Sequence, residues 1–139
     1  MIILDTNVLS EPMRRDPDGG VLDWLDGLDA VGVGTASVCA AELLYGVALL
    51  PEGRRRRDLG ASIRQVLEVE FPGRIYPFDV VAAERYCELV AVRERAGRPI
   101  HVGDAQVAAV CLSIGASLAT RNVVDFEGTG LELINPWTV

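Results

Sequence analysis

The sequence predicts an α/β fold: a mostly parallel central sheet flanked by helices on both faces, built by one domain spanning residues 1–139. Short apolar runs alternate with longer segments of helical periodicity along the whole chain, the order that βαβ units produce. Hydrophobic residues make up 50% of the chain, enough to fill a sizeable core. No linker, low-complexity stretch or solenoid-length repeat interrupts the alternation.

Ile2-Ile3-Leu4 is apolar at consecutive positions and too short for a helix, which suits a buried parallel strand. Helical sequence follows from about Asn7 to Met13, and Pro17-Asp18-Gly19-Gly20 marks a loop. Val21, Leu22, Leu25 and Leu28 line one face of a second short helix. Val31-Gly32-Val33-Gly34 alternates as a strand does, and Ser37 stands where it would cap the next helix. That helix runs to about Leu50, where Pro51 and Gly53 stop it. Leu59, Ile63, Val66 and Leu67 give a fourth helix its apolar stripe. Phe71-Pro72-Gly73 then breaks the chain and Arg74–Phe78 is strand-like. Asp79 is placed to cap a fifth helix, which Gly97 and Pro99 close. Asp104 opens a sixth helix that ends near Gly115. Ser117–Thr120 and Leu131–Ile134 are the last two strands.

Composition narrows the function. The formal net charge is −7, and all 13 basic residues are Arg. An acidic chain lacks the basic surface that a broad, nonspecific grip on nucleic acid needs, but it can hold cations in an acidic pocket. Cys39, Cys87 and Cys111 are odd in number and show no C-x-x-C spacing, so they read as reduced core thiols. The N-terminus lacks the basic start and long apolar stretch of a signal peptide, and no apolar run approaches the roughly 18 residues of a membrane span. The expectation is a soluble, cytoplasmic protein with no membrane partner.

Four carboxylates stand out by position. Asp5 directly follows the first strand, and ligands of open α/β sheets sit beyond the carboxyl ends of strands; taken alone, Asp5 reads equally well as a helix cap. Glu42 is the only charged residue between Asp29 and Glu52, on a helix that is apolar nearly all round, where an unpaired buried charge is costly. Asp104 stands at a helix N-terminus, a place that favours the ionised form. That position suits a cap, and equally a permanently charged ligand. Asp125 lies beyond the end of another strand and taken singly is a loop acid. Together, three of them flank elements at one sheet edge, and the fourth is on a helix that can face them. Carboxylates so gathered repel one another unless a cation intervenes. Oxygen donors without His or Cys select Mg²⁺ or Mn²⁺. His101 is the only histidine, so Ser-His-Asp and His-metal chemistries are nearly excluded.

Leu4-Asp5-Thr6-Asn7-Val8-Leu9-Ser10, Ala41-Glu42-Leu43-Leu44-Tyr45-Gly46-Val47, Gly103-Asp104-Ala105-Gln106-Val107-Ala108-Ala109 and Thr120-Arg121-Asn122-Val123-Val124-Asp125-Phe126 resemble, in order, the four motifs of PIN domains. Gly73–Asp79 and Ile134-Asn135-Pro136-Trp137 look most like the VapC and FitB toxins of that family. The resemblance covers the full length. It implies a PIN-like fold and a Mg²⁺- or Mn²⁺-dependent ribonuclease acting on RNA. Such a toxin is usually homodimeric, and is held inactive in a toxin–antitoxin hetero-oligomer by a cognate antitoxin with a DNA-binding N-terminal part. Carried over position by position, Asp5 and Asp104 are metal ligands and Glu42 completes the site directly or through water. Thr6, Asn7, Thr120 and Asn122 would orient the acids. Some FitB-like members place the fourth acid where this chain has Asn122 and others where it has Asp125; Asp125 is the choice made here.

Two other readings compete. A haloacid-dehalogenase-like phosphohydrolase would use Asp5 as nucleophile, but that chemistry wants D-x-D after the first strand and this chain has Asp5-Thr6-Asn7. A non-catalytic module that only binds an antitoxin or partner would have no need of all four acids. Leu9, Met13, Leu25, Leu44, Tyr45 and Leu49 read mostly as core, with a groove for a partner helix as the alternative. The run Arg54–Arg57 reads as a solvated helix start rather than an RNA contact.

Overall fold

The structure, a computed structural model, describes Met1–Val139. Its sheet contains β1 (Ile2–Leu4), β2 (Val33–Ala36), β3 (Ile75–Tyr76), β4 (Ser117–Ala119) and β5 (Leu133–Ile134). The spatial order is β3-β2-β1-β4-β5 and every neighbouring pair is parallel, so the expected mostly parallel sheet is wholly so. Ile3 of β1 lies opposite Gly34 on one side and Leu118 on the other. Ile3 and Leu4 are both buried, as are all of Val33–Ala36. Successive strand residues point to opposite faces, so helices must cover both.

Those helices are α1 (Thr6–Ser10), α2 (Gly19–Asp26), α3 (Ser37–Ala48), α4 (Arg54–Gln65), α5 (Val80–Arg95) and α6 (Val102–Ile114). The chain moves from β1 through β2 to β3 on one side of the sheet's centre, then returns to build β4 and β5 on the other. The order therefore reverses between β1 and β4, and the crevice beyond their carboxyl ends is where such folds bind ligands.

Several boundaries differ from the sequence expectation, each for a local reason. Pro12 cannot donate to the helical ladder, so α1 passes into a 3-10 turn, Glu11–Met13. The Asp18 carboxylate accepts from the Val21 N–H at 3.0 Å, and this cap starts α2 inside the expected loop, at Gly19. Asp29 likewise accepts from the Val31 N–H, which folds Ala30–Gly32 into a 3-10 turn and delays the second strand to Val33. Ser37 is the first residue of α3, not its cap; Ala36 holds that position and no side chain caps the helix. The fourth helical segment ends in a wide π turn, Val66–Glu70, in which the Phe71 N–H reaches the Val66 carbonyl. Asp79 caps α5 as expected, accepting from Ala82 N–H at 2.9 Å. Helix α6 starts at Val102, so Asp104 sits in its first turn while His101 takes the cap position. Cys39 and Cys111 are buried core thiols, but Cys87 is exposed.

Gly34 marks the tightest backbone approach in the sheet. A Cβ there would stand 2.5 Å from the Arg74 carbonyl oxygen and 3.0 Å from the Tyr76 ring. The obstacle is backbone of the neighbouring strand, which cannot swing away. We expect Gly34→Ala to destabilise the protein by about 1–3 kcal/mol, read as a lowered urea midpoint at unchanged slope. An unchanged midpoint would show that β3 is free to shift.

Candidate active site

Where β1 ends, the Asp5 backbone N–H donates to the Ala119 carbonyl at the end of β4 (2.9 Å), which seats Asp5 at the sheet's reversal point. The residue is only 7% exposed. Its carboxylate is satisfied from three elements. Oδ1 accepts from the Thr6 N–H at 2.9 Å and faces the Cys39 Sγ at 3.7 Å, and Oδ2 accepts from the Thr120 hydroxyl at 2.7 Å. Asp5 also caps α1, so its two sequence readings, cap and site residue, do not conflict. Thr120 in turn accepts from the Asn122 N–H at 3.1 Å, and Asn7 Oδ1 accepts from the Arg121 N–H at 3.3 Å.

Glu42 is exposed on α3, so the expectation of a buried charge fails. It is nevertheless fixed toward the same edge, because the Thr6 hydroxyl donates to its Oε2 at 2.5 Å. A Cβ at Gly103 would lie 3.4 Å from Glu42 Oε1, so α3 and the start of α6 meet at this carboxylate.

Asp104 registers the whole group. Its pKa is raised, first by burial, then by the charges of Asp5 and Asp125, with a smaller rise from Glu42; His101 acts in the opposite direction. The favourable field of the helix N-terminus, which led us to expect a depressed value, is outweighed by desolvation and by like charge. Asp104 and Asp125 line a cleft of about 540 Å³ together with Arg93 and His101. Asp125 is exposed in a 3-10 turn, Val123–Phe126.

Two residues at this edge escaped sequence reasoning. Cys39 lies three residues before Glu42, hence on the same side of α3, and that spacing was a usable signal. Burial, and next the charge of Asp5, push its thiol up to about 12, so it stays protonated and can donate to the Asp5 carboxylate. Arg93 is 7% exposed and bonds no carboxylate. It donates instead to the carbonyls of Arg98 (2.7 Å), Asp125 (3.2 Å) and Glu127 (2.6 Å). It thereby ties the end of α5 to the turn that carries Asp125. Nothing in the sequence separates Arg93 from the other arginines.

The acids at this edge offer oxygen donors, which fit a hard cation; the buried thiol of Cys39 stays protonated, and His101 borders the cleft beside Asp104. No three acids are gathered tightly enough to form a closed cage. The fit is therefore to an ion held by one or two carboxylates and by water, the habit of Mg²⁺.

The six apolar residues read mostly as core separate into two groups. Leu9, Met13 and Leu25 line an apolar cavity of about 630 Å³ between α1, α2 and α4. Leu44, Tyr45 and Leu49 are not core: Tyr45 is 63% and Leu49 68% exposed on α3.

An all-parallel sheet flanked by helices, with acids near the carboxyl ends of its reversing strands, defines the class: a PIN-like α/β domain. The PIN domain model matches residues 2–127, and the chain belongs to that family. The plasmid stability protein StbB of Pseudomonas syringae pv. tomato is 41% identical over 137 residues, 99% of each chain. The VapC ribonuclease Y4jK of Sinorhizobium fredii is 36% identical over 137 residues, 99% of this chain and 98% of that protein. The crystal structure of FitAcB from Neisseria gonorrhoeae superposes with a TM-score of 0.95 at 36% identity, covering 100% of both chains. The resemblance to the VapC and FitB group holds, and the haloacid-dehalogenase alternative falls.

The raised pKa of Asp104 has a consequence for stability. From the ordinary 3.8 up to the raised value, the native protein keeps a proton that the unfolded chain has released. The native state then binds more protons, so this group's contribution to stability falls as pH rises through that window. We expect Asp104→Asn, kept in EDTA, to gain stability relative to the unsubstituted protein as pH goes from acid to neutral. Urea midpoints along a pH series check this, and a pH-independent difference would contradict it.

Proposed function

We propose that this chain is a Mg²⁺- or Mn²⁺-dependent endoribonuclease and the toxin of a type II toxin–antitoxin pair, with residues 1–139 acting as one PIN domain. The observation that carries the reading is the electrostatic coupling of Asp104 to Asp5, Asp125 and Glu42. Asp104 feels the charge of three other acids along one edge, His101 offsets that only in part, and a bound divalent ion would relieve it.

In this reading Asp5 and Asp104 hold the ion, Glu42 completes the site directly or through water, and Asp125 is the fourth acid. What a bound Mg²⁺ or Mn²⁺ supplies is activation of water for in-line attack on phosphorus and stabilisation of charge on the leaving oxygen. The chain's own residues prepare the place. Thr120, Thr6 and Cys39 direct hydrogen atoms at the Asp5 oxygens, which fixes the plane of the carboxylate. The Thr6 hydroxyl orients Glu42, and Arg93 anchors the backbone of Asp125. Asn7 and Asn122 hold the segment after β4 in register with α1.

The partners follow from the same reading. The apolar cavity between α1, α2 and α4 suits a helix of a cognate antitoxin, whose DNA-binding N-terminal part would remain outside. The exposed apolar residues of α3 suit a homodimer contact. No helix is long and apolar enough to cross a membrane; we place the activity in the cytoplasm, where RNA is met.

Asp5→Asn and Asp104→Asn should each lower single-turnover RNA cleavage in Mn²⁺ by more than about a hundredfold while leaving the fold intact. Glu42→Gln should cost more than Asp125→Asn. If Asn122 marks the important corner instead, Asp125→Asn will be nearly silent and Asn122→Ala impaired. Near-normal cleavage by either Asp5→Asn or Asp104→Asn removes the site assignment.

A further inference from the structure

Arg121 occupies an unusual position for a cation in an acidic protein. It follows Thr120, whose hydroxyl holds Asp5, and its own N–H is bound by Asn7 at 3.3 Å. Its backbone is thus fixed at the rim of the acidic edge, between the end of β4 and α1. The guanidinium is exposed, forms no ion pair and donates no hydrogen bond, although four other arginines are paired with carboxylates. It lies over the Trp137 ring, 5.0 Å from the centroid. The backbone that carries this indole is itself held. The Trp137 backbone N–H donates to Asn135 Oδ1 at 3.0 Å, and β5 beside it binds the Thr120 N–H through the Ile134 carbonyl at 2.9 Å.

A guanidinium near an aromatic face keeps its in-plane N–H donors free, and the contact reduces the entropy lost when those donors engage an anion. The chain carries a net charge of −7, so an RNA strand approaching the acids needs a local cation to hold its phosphates. Arg121 is the best candidate for that cation on geometry, because it directly follows Thr120, whose hydroxyl holds Asp5.

We propose that Arg121, supported by Trp137, is the phosphate anchor of the site and binds an RNA backbone phosphate beside the bond to be cut. This rests on the ribonuclease reading given above. It adds a substrate-binding residue and says what the segment Asn135–Trp137 is for.

The test compares the unsubstituted protein, Arg121→Gln, Arg121→Lys and a remote control, Arg85→Gln, on a short fluorescent single-stranded RNA in Mn²⁺ over a range of salt. Arg121→Gln should raise KM about tenfold, the loss of one charge-assisted contact, with kcat changed far less. Its log(kcat/KM) against log[salt] should be shallower by about 1 than that of the unsubstituted protein. Arg121→Lys should fall between, because a point charge replaces the fork. Arg85→Gln should match the unsubstituted protein, which excludes a simple effect of net charge. A separate readout needs no turnover: in a Trp24→Phe background only Trp137 reports, and its emission should change on RNA addition. Arg121→Gln with unaltered KM and salt slope overturns the anchor while leaving the ribonuclease reading intact. Failure of the unsubstituted protein to cleave or bind any RNA overturns both.

Discussion

The buried hydrogen bond from Thr120 to Asp5 is the contact on which the acidic edge depends. It joins the carboxyl ends of β1 and β4, the two strands between which the sheet order reverses, and no helix spans that gap. Both partners are buried, so the bond is charge-assisted and shielded from water, a kind that contributes about 1.5–3 kcal/mol. From Asp5 the order spreads outward through short links. Thr6 carries it to Glu42 on α3, Asn7 carries it to the backbone of Arg121, and the Thr120 hydroxyl carries it to Asn122. Each link is a single side chain acting on the next segment, so the edge is assembled by Thr6, Asn7 and Thr120 around Asp5.

This edge works against the stability of the metal-free fold. Asp104 must be charged near three other acids and partly away from water, and its raised pKa measures that opposition. Among neighbouring basic groups only His101 acts against it, and the net shift at Asp104 is still upward. Arg93 lines the same cleft, yet its donors are spent on carbonyls that shape the turn around Asp125. Arg121 is turned onto Trp137. Acids left largely uncompensated are costly to the fold, and on the proposed reading they suit a site that takes up a divalent ion from solution. On that reading a bound ion also offsets the repulsion that an RNA strand would meet at the edge.

Much of this was legible in the residues. Ile2–Leu4, buried on both faces, announced a parallel strand, and Asp5 after it announced the edge. The four acids stand out in the sequence because an acid after a strand, or on an otherwise apolar helix, is out of place locally. What was not legible came from competition between local and distant partners. Asp18 and Asp29 capped turns earlier than hydrophobic periodicity suggested, since a side-chain cap outweighs an alternating pattern of three or four residues. Glu42 proved exposed, because an apolar helix in this chain presents Tyr45 and Leu49 to solvent. The sign at Asp104 was misjudged because a helix end was weighed without the acids that tertiary structure brings to it. Arg93 and the Arg121–Trp137 contact join positions far apart in sequence, and no local pattern marks them.

The central claim is that this acidic edge is a divalent-ion site whose charge the fold leaves unbalanced. The most direct measurement is the thermal unfolding midpoint as Mn²⁺ is added to metal-free protein, for the unsubstituted chain and for Asp104→Asn. An ion that binds only the native state raises the midpoint progressively with concentration. The account predicts that rise in the unsubstituted protein and its near absence in Asp104→Asn, which starts from the higher metal-free midpoint at neutral pH. A midpoint that ignores Mn²⁺, or that climbs equally in both proteins, would contradict it.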